Sequence, residues 1–109
     1  MPGTTISRGN ILYAWLIAPS LTPVAVAGST TAEQSFTVGG LVAGDFVEVY
    51  SNAAQTAGLS IGNVRVASAN TLTIAFSNST AGSLTPVAGV YRCLVNRAES
   101  VSDLVASAA

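Results

Sequence analysis

The run Thr71 to Phe76, TLTIAF, sets Leu72, Ile74 and Phe76 on one side of the chain and Thr71, Thr73 and Ala75 on the other. A period of two belongs to a β-strand in a sheet with one buried face. Similar short runs recur along the chain, at residues 24–27, 35–41, 46–50, 59–67 and 90–96, separated by small polar residues, glycine and proline. Together with residues 11–18 they make seven strands. That number predicts an all-β fold, an antiparallel β-sandwich, with the early strands following one another as a meander.

Local signals refine this expectation. Ser68-Ala69-Asn70 is short enough for a hairpin turn. In the strand before it, Leu59 and Ile61 share one parity while Val64 and Val66 share the other, so a β-bulge at Gly62-Asn63 is expected to restore the register. After Ser100, residues Val101, Leu104, Val105 and Ala108 fall at helical spacing with Asp103 as capping partner. The expected organisation is an N-terminal arm or strand over 1–19, the sandwich over 20–97, and a short helix or ordered tail over 98–109. The hexapeptide SLTPVA occurs twice, at Ser20 to Ala25 and at Ser83 to Ala88. Each copy predicts an extended approach and a fixed turn angle leading into a strand.

Residues 11–18 have two apolar sides, Ile11, Tyr13, Trp15 and Ile17 against Leu12, Ala14 and Leu16. Such a strand is either central in a sandwich or an arm lying on a neighbouring subunit. Arg8, the ILYAWLIA run and Ala25-Val26-Ala27 imitate a secretory signal. Pro19 and Pro23 interrupt it, which favours a strand or arm. The apolar run also stops well short of the ~18 residues of a membrane span.

Charge narrows the function. Half of the 109 residues are hydrophobic and only 8% are charged, against about 25% in an ordinary soluble domain. The formal net charge is -1 and there is no lysine, so interspersed charge does not keep a free monomer soluble. This composition suits a surface covered by other protein. Arg8, Arg65, Arg92 and Arg97 are scattered among Glu33, Asp45, Glu48, Glu99 and Asp103, which argues against nucleic-acid binding. With neither histidine nor lysine, the usual proton-transfer groups are missing; Glu48, between Val47 and Val49, reads as an outward strand residue. An enzyme is not expected, nor any cofactor or metal. The glycines form no phosphate loop, and Asp45, Asn52, Asn63, Asn70 and Asn78 lack the spacing of a calcium loop. Cys93 has no intrachain partner and reads as a small buried hydrophobe. Asn78-Ser79-Thr80 matches a glycosylation acceptor but is expected to be a turn.

The segments EQSFTVGGL (Glu33 to Leu41), DFVEVY (Asp45 to Tyr50), GLSIGNVRVASANTLTIAFSNSTAG (Gly58 to Gly82) and LTPVAGVYRCLV (Leu84 to Val95) resemble a family of small phage structural proteins. The likeness covers roughly residues 20–97. It implies a virion component on the capsid exterior, a decoration or cement protein whose partners are the major capsid protein and further copies of itself, for instance as a trimer. Candidate interface residues are Leu12, Tyr13, Trp15 and Leu16 near the start and Val101, Leu104 and Val105 near the end. Tyr13 and Trp15 read equally well as interface anchors or as core. Alternatives are a tail or head-fibre module with receptor-binding loops at Gly58 and Asn78, and a secreted β-domain lacking the first 27 residues.

Overall fold

The computed structural model of the chain describes residues 11–98. Seven strands run through it: β1 (Ile11–Ile17), β2 (Ser20–Leu21), β3 (Thr30–Thr37), β4 (Phe46–Ser51), β5 (Leu59–Ser68), β6 (Thr71–Asn78) and β7 (Gly89–Ala98). They form two antiparallel sheets packed together as a β-sandwich. In the first sheet β7 is the hub, with β4 on one edge and β1 followed by β2 on the other. In the second, β6 lies between β3 and β5. No helix is present among the described residues; the expected C-terminal helix lies outside them.

The core is where the two period-two patterns meet. Leu72, Ile74 and Phe76 of β6 face Tyr91, Cys93 and Val95 of β7, all fully buried. Burial of a large aliphatic or aromatic side chain contributes about 1.5–3 kcal/mol, so these two central strands carry much of the stability. Burial also pushes the Cys93 thiol up to about 11. The expectation of one buried face on β6 needs correction, because Thr73 and Ala75 on its other side are buried as well. Glu33 of β3 lies opposite Ala75, and Arg65 of β5 lies opposite Thr73. Their ion pair, at 2.8 Å, spans the central strand diagonally and covers these two small side chains.

The bulge falls where the parity change puts it. Ile61 pairs with Phe76 and Val64 with Ile74, which leaves one extra residue at Gly62-Asn63 and keeps Leu59, Ile61, Val64 and Val66 on the core. The turn between β5 and β6 is two residues long, and Asn70 takes a left-handed conformation with φ 58°.

Other boundaries moved. Residues 24–27 form no strand; Val26 makes a single bridge to Leu84. The strand expected at 35–41 runs instead over Thr30–Thr37, because its inward residues Ala32 and Gln34 are small or polar and give a weak apolar signal, while Val38 and Leu41 are buried in the turn that follows. The early strands are not a meander, since β3 joins one sheet and β4 the other. Among the described strands only β5 and β6 make a hairpin between chain neighbours.

The two SLTPVA copies run antiparallel to each other. Ser20 pairs with Val90, Leu21 with Gly89 and Val26 with Leu84, in the same register that joins Ile17 to Cys93 and Trp15 to Val95. β1, β2 and the first copy are thus one long strand alongside β7 and the second copy. The buried prolines Pro23 and Pro86 interrupt the ladder between them because proline has no N–H to donate. Glutamine side chains take over: Val24 N–H donates to Gln34 Oε1 at 2.8 Å and Val87 N–H to Gln55 Oε1 at 2.7 Å.

Candidate interaction surface

The outer faces of the two sheets differ sharply. On β3 and β6 the outward side chains are hydroxyl-rich, with Thr31 against Ser77 at 2.8 Å and Ser35 against Thr73 at 3.0 Å, and the Glu33–Arg65 pair beside them. Arg65 holds the Glu33 carboxyl below its ordinary range by hydrogen bonding and charge. This face is satisfied from within.

On the first sheet the outward residues of β7 are Val90, Arg92, Leu94 and Asn96, alternating with its buried ones. Register places Leu16 of β1 opposite Leu94 on one side, and Glu48 of β4 opposite it on the other. Phe46 and Tyr50 share the side of Glu48. Leu16 is 77% exposed, Tyr50 59% and Phe46 53%. A groove of about 590 Å³ runs across the three strands, lined by Leu16, Ile17, Ala18, Tyr50, Arg92 and Leu94. Exposed large apolar side chains gathered on one face in this way mark a surface to be covered by another molecule. The Tyr50 hydroxyl donates to Glu48 Oε1 at 3.1 Å and orients that carboxylate on the same face. Glu48 is therefore outward, as its alternation with Val47 and Val49 implies.

The N-terminal candidate residues divide between two roles. Leu16 belongs to the outer apolar face, and Leu12 lies at the irregularity in the β1–β7 register. Trp15 packs against the core, and Tyr13, 56% exposed, meets the Trp15 ring edge-on with centroids 6.4 Å apart. Val101, Leu104 and Val105 lie outside the described residues. The larger part of the face, Phe46, Tyr50, Val90 and Leu94, was not among the expected interface residues. Its signal was present in the parity: each alternates with an inward-facing residue of the same strand.

One corner of this sheet is fixed by a charged knot. Arg97 donates from Nε and from a terminal nitrogen to the two oxygens of Asp45, at 2.9 and 2.8 Å, and to the Gly40 carbonyl at 2.8 Å. Its guanidinium also lies 5.0 Å from the Trp15 ring centroid, within cation–π range. Burial alone would raise the Asp45 pKa, but Arg97 and the Val42 N–H together hold it below the ordinary value.

Asn78 organises the loop at one end of the sandwich. Its buried amide donates to the carbonyls of Val26 and Gly82, and its oxygen accepts from the N–H and hydroxyl of Thr80. Asn78 is thus the last residue of β6, paired with Thr30 and Leu59, rather than the turn residue expected, and its buried side chain is used within the fold. Gly28 is required beside it, since a Cβ there would fall 2.1 Å from the Ala81 carbonyl oxygen. Removal of the first 27 residues, as in a secreted form, would take away β1 and β2 together with the buried Leu21 and Val26.

No helix among the described residues is long and apolar enough to cross a membrane. Comparison with known proteins finds no family model, no curated protein and no solved structure that the chain matches.

Proposed function

We propose that this chain is a non-catalytic structural component of a phage virion, placed on the capsid exterior, where it ties neighbouring coat subunits together. The observation that carries the reading is the apolar outer face of the first sheet, on a chain with too little charge to keep such a face in water. The segments that resemble small phage structural proteins span both sheets. Binding to the assembled shell and not to its separated subunits stabilises the shell by mass action.

Purified particles provide the test. The chain is expected in copy number proportional to the coat protein, and shells stripped of it are expected to disassemble at lower temperature and to regain stability on its return. A few copies per particle, as in a fibre, or an unchanged disassembly temperature, would sink the proposal.

A further inference from the structure

We infer that the outer face of the β1–β7–β4 sheet is a self-docking surface, on which a second copy of this chain sits across a two-fold axis with Glu48 of each copy against Arg92 of the other.

The starting point is where the charges go. Among the described residues Glu33 pairs with Arg65 and Asp45 with Arg97. That leaves one anion and one cation, Glu48 and Arg92, without an ion pair among those residues. Both are exposed, and both lie on this one apolar face.

Their placement is specific. Glu48 is opposite Leu94 and Tyr50 is opposite Arg92, so the four side chains form a quadrilateral. Its sides are about 4.8 Å between strands and about 7 Å along them. The charges occupy one diagonal and the apolar residues the other. A two-fold axis lying in the contact plane along the Leu94–Tyr50 diagonal brings Glu48 over Arg92 of the second copy and Arg92 over its Glu48. Leu94 and Tyr50, close to the axis, meet their own counterparts. The strands of the two copies then cross steeply, in the orthogonal manner of sheet packing.

The same arrangement selects the occupant. An apolar ligand or a partner of a single charge sign would bury Glu48 or Arg92 without compensation, which is costly. A self-complementary surface is what a two-fold contact between identical chains requires. The inference concerns the free chain and does not depend on a place in a virion; a coat subunit and a second copy would compete for this face.

Sedimentation velocity on the purified full chain tests it. A concentration-dependent dimer is expected. Glu48→Arg and Arg92→Glu each place like charges together twice, and each should weaken association by about tenfold or more. The double reversal should restore it, and an equimolar mixture of the two single variants should associate more tightly than either alone. Circular dichroism and melting temperature verify that each variant is folded, and the exposure of both positions makes this the expected result. A monomer at all concentrations, a trimer indifferent to Glu48→Arg, or weakening without rescue in the double reversal and the mixture would overturn the inference. A dimer that fails to bind shells would leave it standing and count against the capsid role alone.

Discussion

The guanidinium of Arg97 joins β7, the Trp15 ring of β1 and the turn that carries Gly40 and Asp45. The Asp45 side chain is only 2% exposed, so Arg97→Ala leaves a buried carboxylate without its cation. A loss of about 3 kcal/mol is expected, read as a lower urea midpoint; an unchanged midpoint would refute this role. The pH dependence has a definite sign. Because the folded-state pKa of Asp45 is depressed, its contribution is complete above the unfolded value of about 3.9 and is lost as pH falls through the lower folded value. Stability measured between pH 5 and pH 2 should therefore fall less in Asp45→Asn than in the parent. The two charges were visible in the sequence but not their pairing, since 52 positions separate them.

Among the elements, the long ribbon made by β1, β2 and the paired SLTPVA copies shows what sequence can and cannot convey. Leu-Thr-Pro marks an extended approach in both places, and the parity change at Gly62-Asn63 marks a bulge, because each of these is a local steric fact. Polar Thr30 to Gln34 gave no apolar alternation to mark β3, and β2 is a strand only because Gly89 and Val90 lie beside it. Gln55 shows the same dependence on tertiary context: its oxygen accepts from Val87, and its nitrogen donates to the Tyr91 hydroxyl at 3.1 Å. Gln55→Ala strips a part-buried ladder of its substitute partners and should cost about 1–3 kcal/mol. Gln34→Ala, at the exposed copy, should cost less. Equal losses in thermal unfolding would show that burial does not set the difference.

At the scale of the whole molecule, chain neighbours mostly part company: β3 and β4, β4 and β5, and β6 and β7 lie in different sheets. Period two identifies a strand but not its partner, so the sandwich was legible while the meander was not. The apolar outer face was hidden for the same reason, being assembled from β1, β4 and β7, which lie far apart in the sequence. β7 is also the last of the described strands, and among those strands β1, β2 and β4 have no other partner in their sheet. During synthesis those three strands leave the ribosome long before the one they pair with, so half the sandwich waits unpaired, a state prone to aggregation. A chain cut before Gly89 is accordingly expected to be insoluble or unfolded by circular dichroism, and a soluble, folded product would contradict this. Emergence of β7, rather than growth of the strands before it, is then the event that makes this protein foldable.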